Sequence, residues 1–109
     1  MLSSKYRIET KQFPKVLRGK TFQNEFFRVV FHNDVALKNP KCAAVISQKI
    51  AKTAVARNAT RRVVYEILGS IKEQLPVSYI TVFPKQSFYK TNISFQEIKQ
   101  NLVDICLKK

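Results

Sequence analysis

The stretch AVARNATRRVVYE, Ala54–Glu66, reads as a helix with two unlike sides. At about 100° per residue, Ala56, Ala59, Thr60, Val63, Val64, Ile67 and Ile71 gather on one side. Arg57, Asn58, Arg61, Arg62 and Tyr65 gather on the other. Thr53 suits the N-cap, since its hydroxyl can accept from a free amide of the first turn, and Pro76 marks a stop. The spacing therefore predicts a helix over 53–75. Its basic positions are segregated from its apolar ones, and no carboxylate interrupts them before Glu66. Guanidinium groups one turn apart, such as Arg57 and Arg61, can each meet a phosphate oxygen through charge-assisted hydrogen bonds. Asn58 and Arg62 lie beside them, and Lys49 and Lys52 stand in the preceding loop. The amide of Asn58 can bond RNA groups or hold neighbouring arginines in place. The plainer reading of such a run is a solvated helix face with no partner.

Outward from this helix, the flanking segments read as strands. CAAVIS, Cys42–Ser47, is a short apolar run that fits a buried strand, and YITVF, Tyr79–Phe83, is another, ended by Pro84. Two strands flanking a long helix imply a parallel pair joined by a crossover, hence an α/β or α+β domain with one small sheet. EFFRVVF, Glu25–Phe31, is rich in aromatic and β-branched residues and predicts a further strand. Its alternation puts Phe27, Val29 and Phe31 on one face and Phe26, Arg28 and Val30 on the other. An extra strand over 20–24 is compatible with the sequence, and HNDVALKNP reads as a turn-rich connection. FPKVLR, Phe13–Arg18, suits a short helix, with Pro14 in the first turn and Gly19 as its end. Ser94 and Glu97 have capping-box spacing. They open a last helix to about Leu107, whose Phe95, Ile98, Leu102 and Ile105 form a core stripe.

Composition decides between the two readings of the arginine run. Twenty Lys and Arg face seven Asp and Glu, a formal charge of +13 on 109 residues. Such a field draws polyanions and speeds their encounter; nucleic acid comes first and an anionic membrane surface second. Charge alone does not separate RNA from DNA. The length suits a single domain over 1–109, and 45% hydrophobic residues suffice for a modest core. No window approaches the roughly 18 apolar residues of a membrane span, and MLSSKYRIETK lacks the apolar segment of a secretory signal. A soluble, non-exported protein is expected. Cys42 and Cys106 have no CxxC partner, and His32 is the single histidine. Asp34 and Asp104 are the only aspartates. Neither a catalytic constellation nor a metal-ligand set can be assembled, so no catalytic and no metal-binding residue is assigned.

Gln48–Glu66, QKIAKTAVARNATRRVVYE, resembles the signature of the bacterial ribonuclease P protein subunit, which runs approximately K-K-x-G-x-A-V-x-R-N-x-x-K-R-x-x-R-E. Lys49, Ala54, Val55, Arg57, Asn58, Arg61, Arg62 and Glu66 match it. Phe13, Val16, Gly19 and Lys20 resemble the family's amino-terminal F-x-x-V…G-K. YITVFPK is similar to its strand after the long helix, and SFQEIKQNL to its closing helix. Gln48 stands where a lysine is usual, Tyr65 replaces the last arginine, and the loop before the motif is one residue longer and has no glycine.

The resemblance implies a small sheet with a helix on one side and a left-handed β-α-β crossover, against the usual hand, as in the second domain of a ribosomal protein. It also implies a function. This chain would be the RNA-binding subunit of ribonuclease P, a cytoplasmic ribonucleoprotein that removes the 5′ leader from precursor tRNA. Catalysis would belong to the RNA subunit and its magnesium ions, the protein itself holding no cofactor. Lys49, Lys52, Arg57, Asn58, Arg61, Arg62 and Tyr65 would bind the catalytic RNA. Phe13, Leu17, Phe27 and Arg28 would line a cleft for the single-stranded leader, where stacking platforms beside positive charge hold a strand without reading its sequence. Tyr65 could stack on a base or sugar. The competing functions are another basic RNA-binding module, such as a ribosomal protein or RNA chaperone, a nuclease acting unaided, and a membrane-surface role. The last is disfavoured because the basic helix also has a conventional core face.

Overall fold

Alternation in the second strand sets the layering. Phe27, Val29 and Phe31 are buried, while Arg28 between them is exposed. The computed structural model describes residues 6–8 and 18–107. Within it strands β1 (Lys20–Gln23), β2 (Phe27–His32) and β3 (Lys41–Ala44) precede helix α1 (Ala54–Ser70). A 3-10 turn (Lys72–Gln74), strand β4 (Tyr79–Pro84) and helix α2 (Phe95–Leu107) follow. The sheet order is β1-β2-β4-β3; β3 and β4, joined through α1, are parallel, and the other pairs are antiparallel. Both helices pack on the face that carries Phe27, Val29, Ile80 and Val82, against Val64, Ile67 and Leu68 of α1 and Ile98 and Leu102 of α2. The described residues form a mixed α+β fold with a four-stranded sheet and two α-helices.

Local chemistry explains the element ends. The Asn24 carboxamide oxygen accepts from the amides of Phe26 and Phe27 (3.0 and 2.9 Å), and its nitrogen donates to the Asn101 carbonyl of α2 (2.9 Å). The side chain thus closes the β1–β2 hairpin, so β2 begins at Phe27 rather than at Glu25. Extension over 20–24 is realised as β1. CAAVIS is a shorter strand than expected, ending at Ala44. Helix α1 stops at Ser70, before the expected Leu75. Gly69 and Ser70 are weak helix formers, and the Ser70 hydroxyl donates to the Ile67 carbonyl at 2.7 Å, a local bond that competes with the helical ladder. Ile71 leaves helical geometry at ψ 14°. Leu75 is buried all the same, from the extended residue after the 3-10 turn. In α2 the Ser94 hydroxyl accepts from the Glu97 amide as the capping spacing requires. Phe95, expected in the core, is 41% exposed, whereas Ile98, Leu102 and Ile105 are buried. The helix expected over 13–18 lies outside the described residues, apart from Arg18.

Candidate RNA interface

The amino end of α1 is built to hold its basic side steady. The Thr53 hydroxyl accepts from the Ala56 amide at 3.0 Å, and the loop before it is folded by the Ile50 and Ala51 amides donating to the Ser47 carbonyl (both 3.1 Å). Ala51 is buried, and its carbonyl accepts from the Arg57 guanidinium at 3.0 Å. Ala56, Thr60, Val64, Ile67 and Leu68 take the core side. Asn58 and Arg62 are exposed; Arg57, Arg61 and Tyr65 are half-buried. Arg61 donates to the Asn58 side-chain oxygen at 2.8 Å, so the asparagine does orient an arginine. Lys49 and Lys52 are exposed in the loop that leads into the N-cap.

Arg57 bonds a carbonyl oxygen and Arg61 an amide oxygen, and among the described residues neither bonds a carboxylate. The first turn of α1 contains no acidic residue. The positive end of the helix dipole, about half a charge, adds to the field of the side chains instead of being neutralised.

Tyr65 is placed differently from a free stacking platform. Its hydroxyl accepts from the Ala44 amide of β3 at 3.3 Å, and the guanidinium of Arg7 lies over its ring, 4.8 Å from the centroid. Arg7, Asn58, Arg61, Arg62 and Tyr65 line one shallow depression of about 210 Å³. Sequence reasoning missed Arg7, because its position comes from a bridge to Cys42 and a hydrogen bond from the Ile8 amide to the Cys42 carbonyl. No local periodicity announces such a contact.

A second cationic site lies on the sheet face opposite the helices. Arg28 stacks on Phe83, its cross-strand partner, with the guanidinium 4.3 Å from the ring centroid. Arg28, Val45, Ser47, Ile50, Phe83, Pro84 and Lys85 line a groove of about 370 Å³ with a mostly apolar floor. Phe27 is not part of it: the side chain is fully buried in the helix-facing core and tilted against Phe88 at 5.5 Å. Adjacent strand residues point to opposite faces, so Phe27 and Arg28 cannot share a cleft, and Phe83 supplies the aromatic surface instead. Pairing β2 with YITVF in register would have found it. Phe13 and Leu17 lie outside the described residues.

The thiols are not nucleophiles in this setting. Burial pushes Cys106 up to about 12, and it raises Cys42 as well, with the neighbouring Cys106 adding to the effect. Both are buried and free of disulfide bonds. Among the described residues no group of His, Cys, Asp and Glu is arranged to hold a metal ion.

A small basic α+β domain with an arginine ridge on one helix and an arginine-flanked aromatic groove on its sheet has, by class, the character of a nucleic-acid-binding module. The family model Ribonuclease P matches residues 2–109, and the chain belongs to that family. It is a protein subunit of ribonuclease P, and the reading as an unrelated ribosomal protein or chaperone is not favoured. The RNase P protein from Thermotoga maritima superimposes with a TM-score of 0.83 at 25% identity, over 94% of this chain and 96% of that one. The RNase P protein from Staphylococcus aureus superimposes with a TM-score of 0.78 at 24% identity, over 94% of this chain and 93% of that one. No curated protein is similar enough in sequence to count as a match. Among the described residues no helix is long and apolar enough to cross a membrane.

Proposed function

We propose that this subunit docks on the catalytic RNA of ribonuclease P through the Arg57–Arg62 side of α1 and holds the 5′ leader of precursor tRNA in the Arg28–Phe83 groove. The RNA carries out hydrolysis with its own magnesium ions, and the protein contributes binding free energy and charge neutralisation. The observation that carries this reading is the ridge itself: arginines on successive turns, Arg57 and Arg61 oriented by the Ala51 carbonyl and Asn58 and bonding no carboxylate among the described residues. RNA laid against RNA is repelled by its own phosphates, and a body of charge +13 between leader and catalytic RNA screens that repulsion. Only the precursor has a leader, so the groove favours substrate over product. Arg28 over Phe83 offers a cation beside a ring, the pairing that holds unstacked bases without reading them. The work takes place where the RNA subunit resides, in the cytoplasm.

The test is precursor tRNA cleavage by the catalytic RNA from the same source at low magnesium, with and without this chain. The expected result is a large gain on adding the protein, greater for a precursor with a leader of several nucleotides than for one trimmed to a single nucleotide. No gain at any magnesium concentration overturns the reading, and cleavage by purified protein without RNA replaces it with a nuclease.

A further inference from the structure

Arg7 stands 50 residues before the α1 ridge in sequence (57 − 7) and beside it in space. The chain around it runs parallel to the outer edge of β3, fixed by the Arg7–Cys42 bridge and by the Ile8 amide on the Cys42 carbonyl at 2.9 Å. The ring beneath its guanidinium is itself immobilised. Tyr65 leaves α1, crosses to β3 and accepts from the Ala44 amide with its hydroxyl. The Arg7 Nε is buried and bonds no described residue, so stacking on the ring, and not a hydrogen bond at Nε, holds the side chain. Three guanidinium groups, those of Arg7, Arg61 and Arg62, and one amide then line a single depression with no carboxylate in its wall. Like charges brought together in this way repel one another, and an arriving phosphate turns that repulsion into attraction.

We propose that Arg7 is a further RNA-binding residue, seated on Tyr65 so that its guanidinium closes the Asn58–Arg61–Arg62 depression around a backbone phosphate of the catalytic RNA. The proposal rests on the docking of α1 on that RNA. Tyr65 is a positioning residue: neutral itself, it fixes a cation from a distant part of the chain at the end of the ridge. Arginine suits this seat better than lysine, because a planar guanidinium can stack on a ring and still present N–H groups at its edge.

The experiment is a salt titration of full-length protein binding to the catalytic RNA alone and to precursor tRNA alone. Arg7→Ala is expected to weaken catalytic-RNA binding about tenfold near 0.15 M salt and to lower the slope of log affinity against log salt by about one, the signature of one lost phosphate contact. Arg7→Lys keeps the charge but loses the planar stack, and is expected to recover the slope and only part of the affinity. Tyr65→Leu should lower the slope in the wild-type background and leave it unchanged when Arg7 is already alanine, whereas a purely structural role would cost the same in both. Thermal unfolding of each variant accounts for any loss of folded protein. An unchanged slope for Arg7→Ala overturns the proposal, as does an effect confined to precursor tRNA. Arg61→Ala/Arg62→Ala in the same titration separates the failures: if that pair weakens binding and Arg7→Ala does not, only the role of Arg7 falls; if neither does, the docking face itself is wrong.

Discussion

Single side chains here divide between holding the ridge and meeting a partner, and the two kinds respond differently to substitution. Thr60 is the polar member of the core side of α1. Its hydroxyl donates to the Ala56 carbonyl at 2.9 Å and accepts from the Phe88 amide at 3.1 Å, both out of solvent. Thr60→Val keeps the shape and strands the Phe88 amide, which should lower unfolding free energy by about 1–3 kcal/mol in urea denaturation. RNA affinity per folded molecule should not change. Arg57 belongs to both kinds. Because it donates to the Ala51 carbonyl, Arg57→Ala should cost about 1 kcal/mol of stability together with RNA affinity. Arg62→Ala, at an exposed position, should cost affinity alone. Paired measurements of unfolding and RNA binding on these two variants distinguish the roles.

At the scale of elements, α1 is a lever whose two ends are fixed by different means. Its start depends on the Thr53 cap, and Thr53→Ala should remove about 1 kcal/mol of stability, seen as a lower urea midpoint with an unchanged denaturant slope. That start was legible in the sequence, because a threonine before an amphipathic run has a local meaning. The end was not: Leu75 keeps the apolar spacing after Gly69 and Ser70 have ended the helix, and periodicity cannot tell a buried residue in a helix from one in the extended chain beyond it. The parallel β3–α1–β4 unit followed from the order of elements. The placing of β4 between β2 and β3 did not, since strand order is set by long-range pairing. The same divide runs through the interface. The Arg57–Arg62 side is a helical period and could be read directly, while Phe83 and Arg7 reach their sites through cross-strand register and an edge bridge. Phe27 falls outside the groove because the alternation of β2, which separates it from Arg28, overrides the shared cleft that the resemblance implies.

For the whole molecule, the governing quantity is charge on a small body. The described residues span 39 × 26 × 24 Å, and the chain's net charge is +13. Binding to the catalytic RNA should therefore fall steeply with salt, by roughly a thousandfold between about 50 and 200 mM if about six phosphates are contacted. A filter-binding series over that range checks it, and a flat profile would mean that contacts other than phosphates dominate. The two cationic sites lie on different sides of the sheet, with the helix layer carrying one and the opposite face the other. On the proposed function, one small domain would in this way face two RNA partners at once, the catalytic RNA along α1 and the leader across the sheet. The most direct measurement of the central claim is the affinity of Arg61→Ala/Arg62→Ala for the cognate catalytic RNA near 0.15 M salt, with folding verified by circular dichroism. Loss of two charge-assisted phosphate contacts predicts a decrease of roughly a hundredfold. An affinity within about twofold of the unaltered protein, with the fold intact, would contradict the account.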